Sequence, residues 1–291
     1  MKFKGIFPAL ATPLTEEERI NVPVLERLME ALLSQGADGF YVAGATGEGL
    51  ALRPEERRIL AEESVRIAAG RVPCILQIAS TDFSQAIVLA KHAESVGAAA
   101  ISATPPLFFG YGEGEVYEYY KALAEAVHIP VMIYYNPAAG FAMNAAFAAR
   151  MFEVDNITAI KWTNSDYSQV TRLKDMTHGE MNVINGPDPT LLLGLVAGAD
   201  GGIGTTYNYL MRFYRRIYDA FTRGDLAAAQ ACQLEVNRIL SARPYPGIPL
   251  TKAVLEAMGF PVGNATFPMR RLTAEEKETA IRRMVEAGLE V

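Results

Sequence analysis

One repeating pattern dominates the chain: short apolar runs rich in Val, Ile and Ala alternate with longer amphipathic stretches of helical period. Such alternation is typical of repeated βα units, because each helix returns the chain so that the next strand runs parallel to the last. Eight runs are predicted to be strands, at 6–11, 39–43, 73–79, 99–103, 130–135, 157–163, 181–185 and 201–205. Eight parallel strands shielded on both faces favour a closed (β/α)8 TIM barrel over an open sheet.

Helices are predicted between the strands, where apolar residues recur every three to four positions. The clearest examples are 24–34, 55–69, 84–96, 115–127 and 167–176. Gly36, Gly97 and Gly198 each follow a helical stretch, as expected of glycines that end a helix in the left-handed conformation. After the eighth strand, 207–223 completes the last unit, and further helices are predicted with breaks around 243–246 and 260–268. We therefore predict a catalytic barrel at 1–224 and a C-terminal helical extension, packed on it, at 225–291.

Composition excludes several classes of protein. The net charge is -6, and Lys and Arg form no basic stripe, so nucleic acid is not an expected partner. No apolar run approaches the roughly 20 residues that cross a bilayer, and the N terminus does not read as a signal peptide, so no membrane association is expected. Two cysteines without close spacing and three scattered histidines indicate neither a disulfide framework nor a metal centre. We expect a cytoplasmic protein without a metal or other cofactor.

Lys161 is the unusual residue of the sixth strand. Strand residues alternate in direction, so Lys161 shares a face with Ala159 and Thr163, and an inward-pointing face would place its amine in the barrel mouth. Functional residues of such barrels gather at this end of the strands. Burial disfavours an ammonium ion, and a neutral amine can attack a ketone to form an iminium, which accepts electrons when a carbon–carbon bond breaks. The residues alone leave open a buried lysine that pairs with an acid.

Two more features lie at predicted strand ends. After the second strand, 44–49 is a glycine-rich turn whose backbone N–H groups are suited to binding a carboxylate, although a purely structural turn would use the same glycines. Tyr134 ends the fifth strand, where it is placed to relay protons beside Lys161. The alternative is that the Tyr134 ring only packs in the hydrophobic core and has no catalytic role.

In combination, these motifs resemble the dihydrodipicolinate synthase and N-acetylneuraminate lyase superfamily of class I pyruvate-dependent aldolases. The G-x-T-G-E turn is present at 44–48, the Y-x-x-P element at 134–137 and the Schiff-base strand at 160–163. The stretch 198–208, GADGGIGTTYN, is most similar to the neuraminate lyase branch. The resemblance covers the chain from about Gly5 to at least Ile239, and these motifs occur in the expected order.

The resemblance implies that Lys161 forms a Schiff base with a 2-oxo acid such as pyruvate and that Tyr134 acts as acid and base. Tyr134 is preferred to Tyr135 because neighbours on a strand face opposite ways and only one of them matches the family spacing. The Thr46 hydroxyl would join the proton relay, and the amides of Ala45 and Thr46 would receive the pyruvate carboxylate. The predicted substrate-binding residues are Ala45, Gly47, Thr163, Gly186, Asp188, Ile203 and Thr205.

The chain departs from both branches where the acceptor would bind. Ala138-Ala139-Gly140 follows the Y-x-x-P element where the synthases place an arginine, and Leu107 stands where a tyrosine of the neighbouring subunit would enter the relay. Pro189 replaces an acidic residue of the neuraminate lyases, and Ala45 replaces their serine. Each missing hydrogen bond is worth roughly 0.5 to 1.5 kcal/mol, so we expect an acceptor that is smaller or less polar than a sialic acid.

The sequence therefore predicts a Schiff-base lyase that cleaves a 2-oxo acid to pyruvate and an aldehyde, or condenses the two. Close alternatives are a dihydrodipicolinate synthase and an aldolase or dehydratase of 2-keto-3-deoxy sugar acids. A non-catalytic sensor of 2-oxo acids is the alternative from another class. The resemblance also implies a homotetramer or a dimer.

Overall fold

Strands and helices alternate through most of the computed structural model, which describes residues 2–291. The eight strands are β1 Gly5–Pro8, β2 Phe40–Val42, β3 Cys74–Gln77, β4 Ala100–Ala103, β5 Val131–Tyr135, β6 Ile157–Trp162, β7 Asn182–Asn185 and β8 Gly201–Gly204. Each predicted strand is present, and all eight are shorter than predicted. Beyond the ends of β1 and β3, for example, Ala11, Ile78 and Ala79 are buried, so the apolar pattern continues past the strands themselves.

The strands form one parallel sheet in the order β1-β8-β7-β6-β5-β4-β3-β2. The two end strands also meet: Ala9 bridges Tyr41 in parallel, and the N–H of Leu10 donates to the carbonyl oxygen of Tyr41 at 2.9 Å. These contacts close the sheet, and the predicted (β/α)8 barrel is confirmed.

Eight helices surround the barrel: α1 Val22–Ser34, α2 Pro54–Ala68, α3 Phe83–Ser95, α4 Glu113–Glu125, α5 Ala145–Phe152, α6 Tyr167–Met176, α7 Leu191–Val196 and α8 Tyr207–Thr222. The five clearest predicted helices are confirmed with boundaries that shift by at most two residues. Gly36, Gly97 and Gly198 have φ of +92°, +84° and +104°, which is the left-handed conformation expected after a helix.

Three more helices follow the barrel: α9 Leu226–Ser241, α10 Ile248–Ala257 and α11 Ala274–Glu286. They are separated at the two predicted breaks. Helix α9 packs along α8, and α10 contacts both α8 and α11. Across residues 2–291, none of the helices combines the length and apolar character needed to span a membrane.

Side chains of the strands divide between two cores. One lies between the barrel and its helices, and the other fills the barrel interior. The interior cluster comprises Phe3, Phe7, Ala9, Tyr41, Ile75, Ala100, Met132, Tyr134, Ala159, Ile184 and Ile203. Ala159 on β6 is therefore inward-facing, and the two-residue period of a strand makes Lys161 inward-facing as well.

Candidate active site

Lys161 lies inside the barrel near the C-terminal end of β6, where Tyr134 of β5 and Ile184 of β7 are its cross-strand partners. Its Nζ atom is 4.2 Å from the centroid of the Tyr134 ring and 4.6 Å from that of Tyr41. Only 5% of the residue is exposed. The amine lies against two aromatic rings, and no carboxylate of residues 2–291 is within ion-pair distance of it. This disfavours the alternative hypothesis that Lys161 forms an ion pair with a buried acid.

Tyr134 and Tyr135 face opposite sides of β5, as expected from strand alternation. Tyr134 belongs to the interior cluster and packs edge-on against Tyr41, with ring centroids 5.9 Å apart. Tyr135 lies in the outer core, 4.6 Å from the Trp162 ring, and its hydroxyl accepts a hydrogen bond from Asn164. Of these two tyrosines, only Tyr134 therefore lies beside the Lys161 amine.

Tyr41 is an interior residue that the sequence reasoning did not single out. It is fully buried, and its hydroxyl donates to Ser102 Oγ at 3.0 Å. Burial raises the pKa of Tyr41 well above its ordinary value, and the nearby Tyr134 acts in the same direction. We therefore expect Tyr41 to remain a neutral wall of the site. The signal was available, because Tyr41 alternates along β2 with Phe40 and Val42, which belong to the outer core.

The glycine-rich turn at 44–49 follows β2 and has a tightly constrained backbone. Ala43 and Glu48, on either side of its centre, have φ of +56° and +58°, a region that residues other than glycine adopt rarely. Two hydrogen bonds of 3.1 Å close the turn, from the N–H of Glu48 to the Ala45 oxygen and from the N–H of Gly49 to the Gly44 oxygen. The turn is thus held by its own backbone as well as by its neighbours.

The centre of this turn faces the barrel mouth. Across residues 2–291, no acceptor meets the N–H groups of Ala45 and Thr46, which leaves both free for a ligand. Thr46 is buried, and its Oγ1 lies 2.7 Å from Oγ1 of Thr205, which follows β8. The Gly47 oxygen accepts a hydrogen bond from the Thr12 hydroxyl at 2.7 Å. Gly47 therefore supports the turn from behind, whereas Ala45 and Thr46 present donors.

Gly49 is the tightest point of the turn. A Cβ atom at this position would lie 1.9 Å from the carbonyl oxygen of Ala43, which is backbone and has little room to move. We expect Gly49→Ala to lower the free energy of unfolding by about 3 kcal/mol or more in urea denaturation. Gly114→Ala is the matched control, because open space surrounds Gly114 on α4, and it should stabilise by less than about 1 kcal/mol. Equal unfolding midpoints for the two variants would contradict this account of the turn.

Thr163 and Gly186 lie side by side after β6 and β7. The N–H of Thr163 donates to the Tyr135 oxygen at 2.8 Å, and that of Gly186 to the Trp162 oxygen at 2.9 Å, which extends the ladder beyond the strands. The Thr163 hydroxyl oxygen is buried without a partner among the residues described, and a Cβ at Gly186 would lie 2.1 Å from it. A residue larger than glycine at 186 would displace this hydroxyl.

Asp188 has a structural partner that the sequence did not reveal. Its Oδ2 accepts hydrogen bonds from the N–H and the hydroxyl of Thr206, both at 2.7 Å, and that hydroxyl lies 2.7 Å from the Tyr214 hydroxyl. A Cβ at Gly204 would lie 2.3 Å from Asp188 Oδ1, whereas Ile203, its neighbour on β8, faces the barrel interior. The Asp188 carboxyl group therefore lies on the outer side of β8, at the start of α8.

Burial raises the pKa of Asp188 above its ordinary value, and the hydrogen bonds from Thr206 and the charges of Lys161 and Arg243 offset this only in part. A carboxyl group whose pKa is higher in the folded state binds more protons there, so its ionisation destabilises the fold as the pH rises through that pKa. Asp188→Asn keeps an acceptor for Thr206 and removes this penalty. In thermal denaturation, the Tm of the variant relative to the parent should be higher at about pH 7 than at about pH 3.5, below the unfolded pKa. An identical difference at both pH values would contradict the assignment.

The structure thus brings the predicted residues together in three groups. Lys161, Tyr134 and Ile203 lie in the barrel interior, Thr46 meets Thr205 across the mouth, and Thr163 meets Gly186. Asp188 stands apart behind β8. Among residues 2–291, no group of three or more His, Cys, Asp or Glu side chains is arranged to hold a metal ion. Cys74 and Cys232 are buried free thiols.

The barrel is closed, and the Lys161 amine lies in its interior near the C-terminal end of β6, which is the end where (β/α)8-barrel enzymes carry their active sites. The model of the dihydrodipicolinate synthetase family matches residues 2–287, and the chain belongs to this family.

Relatives with different activities are similar to the chain over nearly its whole length. An N-acetylneuraminate lyase of Rhizobium meliloti is 32% identical over 284 residues, which cover 97% of this chain and 94% of the relative. A 4-hydroxy-tetrahydrodipicolinate synthase of Oceanobacillus iheyensis is 30% identical over 95% of this chain and 94% of its own. Among solved structures, YagE, a prophage protein of the dihydrodipicolinic acid synthase family from E. coli K12 in complex with pyruvate, has a TM-score of 0.94 and 25% identity, and 99% of each chain is covered.

Proposed function

We propose that this chain is a lyase that forms a Schiff base between Lys161 and a 2-oxo acid, and that it cleaves its substrate to pyruvate and an aldehyde or condenses the two. The observation that carries the proposal is the position of the Lys161 amine, 4.2 Å from the Tyr134 ring in a closed barrel mouth. The pyruvate bound to the E. coli neighbour and the activities named for the two relatives support the same chemistry.

Binding begins at the turn in this proposal. The free N–H groups of Ala45 and Thr46 receive the substrate carboxylate, because backbone donors that converge in a turn form an anion site. The adjacent ketone carbon then faces Lys161. The neutral amine attacks that carbon, and one of its protons moves to the ketone oxygen. Tyr134 donates its phenol proton to the resulting hydroxyl group, which leaves as water, so that an iminium and a Tyr134 phenolate remain. The reverse of this step, with water as the nucleophile, later returns the proton to Tyr134.

Cleavage then follows from the electron demand of the iminium. Tyr134 removes the proton of the substrate C4 hydroxyl, the C3–C4 bond breaks, and its electron pair moves through C3 to the iminium nitrogen as an enamine forms. The aldehyde leaves, and a proton returns from Tyr134 to C3. Water then hydrolyses the iminium, which releases pyruvate and restores the amine. The paired hydroxyls of Thr46 and Thr205, 2.7 Å apart, provide a route for protons to and from Tyr134.

The acceptor end of the substrate lies, in this proposal, against Thr163, Gly186 and Ile203. The Thr163 hydroxyl, buried and without a partner in the described chain, is free to bind one polar group of the substrate. The carboxyl group of Asp188 is already engaged by Thr206, so few polar side chains remain for a polyhydroxylated chain. The short 3-10 turn Pro137–Ala139 follows the strand where an arginine would grip a second carboxylate. A small aldehyde with few hydroxyl groups fits these features best.

The direct test of this function is a screen of 2-oxo acids for pyruvate release, coupled to lactate dehydrogenase, with Lys161→Ala as the blank. The panel includes N-acetylneuraminate, 2-keto-3-deoxy sugar acids and short 4-hydroxy-2-oxo acids, and the condensation of pyruvate with aspartate semialdehyde is assayed separately. We expect release from a short 4-hydroxy-2-oxo acid to exceed release from N-acetylneuraminate. If neither cleavage nor condensation by the parent exceeds the blank, the proposed function is wrong.

A further inference from the structure

A buried ion pair connects the turn at 44–49 to helix α10, far away along the chain. Lys252 Nζ lies 2.7 Å from Oε1 of Glu48, and the two side chains are 2% and 0% exposed. Glu48 Oε2 accepts the N–H of Thr266 at 2.6 Å, and Lys252 also donates to the Asn264 oxygen at 2.8 Å. Both charges therefore have partners from the chain beyond the barrel.

This pair is an unusual way to fasten a turn. A buried ion pair loses its hydration, and well-packed apolar residues often serve stability as well or better. Burial lowers the pKa of Lys252 from its ordinary value, which the charge of Glu48 opposes. In addition, Glu48 holds a φ of +58°, which carries strain that surrounding contacts must hold in place. Stability alone gives little reason for this arrangement.

Glu48 is also close in sequence to the donors of the proposed carboxylate site: it is two residues from Thr46 and three from Ala45. The carboxylate of Glu48 contacts α10 and the segment after it, whereas the Thr46 side chain, two residues earlier, meets Thr205 at the barrel mouth. The N–H of Glu48 bonds to the Ala45 oxygen at 3.1 Å, so a shift of Glu48 moves the peptide that carries the Thr46 N–H. Fixing Glu48 thus fixes the direction of the donors.

We infer that Glu48 and Lys252 are positioning residues for substrate: their ion pair holds the turn so that the Ala45 and Thr46 amides converge on the carboxylate of the 2-oxo acid. The inference rests on the proposed function for the role of these amides. According to this inference, helix α10 contributes to substrate binding through the ion pair, although no residue of α10 needs to contact the substrate.

Three variants remove the pair: Glu48→Gln, Lys252→Met and the double variant. Each should raise KM for the 2-oxo acid about tenfold, the change expected for one weakened charge-assisted hydrogen bond, with kcat held within about threefold. The double variant should recover most of the Tm lost by the single variants, because no uncompensated charge stays buried. Its KM should remain high. A recovered Tm together with a high KM in the double variant would distinguish a positioning role from a purely stabilising one.

Lys174→Met is the matched control. Lys174 forms an ion pair of the same length, 2.7 Å, with Asp200, and this pair lies at the start of β8, at the opposite end of the barrel from the turn. The Lys174→Met variant should have a lower Tm than the parent and an unchanged KM. If the three pair variants lower Tm as Lys174→Met does and keep KM within about twofold of the parent, the inference is overturned.

Amide hydrogen exchange of 44–49 provides a readout that does not depend on catalysis. We expect exchange in this segment to be faster in the double variant than in the parent and unchanged in Lys174→Met. Trapping of pyruvate on the parent by borohydride is measured in parallel. Loss of trapping on the parent would refute the proposed function, whereas unchanged exchange at 44–49 in the double variant would refute the positioning role by itself.

Discussion

Lys161→Ala is expected to lower kcat by on the order of 10⁴-fold or more, because removal of a covalent nucleophile leaves only binding and polar stabilisation of the transition state. The fold should survive this change. The amine lies between two aromatic rings with no carboxylate at ion-pair distance in the described chain, so its removal leaves no charge without a partner. Turnover is measured with the best substrate of the screen, and folding is checked by thermal denaturation.

Lys161→Met is the companion to this variant. The methionine side chain fills much of the space between the rings of Tyr41 and Tyr134, so it separates the loss of the amine from the effect of a cavity. We expect both variants to be equally inactive and Lys161→Met to have the higher Tm. Turnover by Lys161→Met within about tenfold of the parent would show that the reaction does not pass through this amine.

Tyr134→Phe is expected to lower kcat by about 10²- to 10⁴-fold, the usual contribution of a positioned acid or base, and to keep the ability to bind pyruvate. The ring that packs on Tyr41 is retained, so the structural effect should be small. kcat is measured by coupled pyruvate release, and the Schiff base is measured by mass spectrometry after reduction. Full activity in Tyr134→Phe would refute the role of this tyrosine.

Tyr135→Phe is the matched control on the same strand. The Tyr135 ring packs on Trp162 outside the barrel, and the hydroxyl only accepts a hydrogen bond from Asn164. We expect its kcat to stay within about threefold of the parent, with a modest loss of stability from the missing hydrogen bond. If Tyr134→Phe and Tyr135→Phe lost kcat equally, the side of β5 on which a tyrosine lies would not determine whether it acts in catalysis.

Much of the barrel could be predicted from periodicity, because strand and helix periods report burial that is local along the chain. The same two-residue period placed Lys161 with Ala159 and separated Tyr134 from Tyr135. The two-residue period does not specify the residue at which the hydrogen bonding between two strands ends. The first strand was predicted to continue to Ala11, whereas the continuous strand ends at Pro8: Ala9 forms only an isolated bridge to Tyr41, and Leu10 and Ala11 are buried beyond it.

Side-chain partners far apart in sequence could not be predicted. Asp188 is bound by Thr206, and Glu48 pairs with Lys252, and neither relation has a spacing that a linear pattern records. The first pair depends on the pairing of β7 with β8, and the second depends on the packing of α10 against the turn at 44–49. Glu48 matched the glycine-turn motif, yet its motif says nothing about a lysine on α10.

Membership of the family does not identify the acceptor aldehyde. An N-acetylneuraminate lyase and a 4-hydroxy-tetrahydrodipicolinate synthase are almost equally similar to this chain, so membership of the family does not choose between these activities. We expect the choice to depend on a few local residues, such as Ala45, Pro189 and the stretch 138–140, which carry no polar side chain. We therefore expect the substrate screen, and not overall similarity, to identify the aldehyde.

The most direct test of the mechanism is borohydride reduction of the parent protein in the presence of pyruvate, followed by peptide mass spectrometry. The account predicts one reduced pyruvate adduct per chain, on the peptide that contains Lys161, and no adduct without pyruvate or in Lys161→Ala. An unmodified Lys161 at saturating pyruvate, or an adduct on another lysine such as Lys252 in its place, would contradict it.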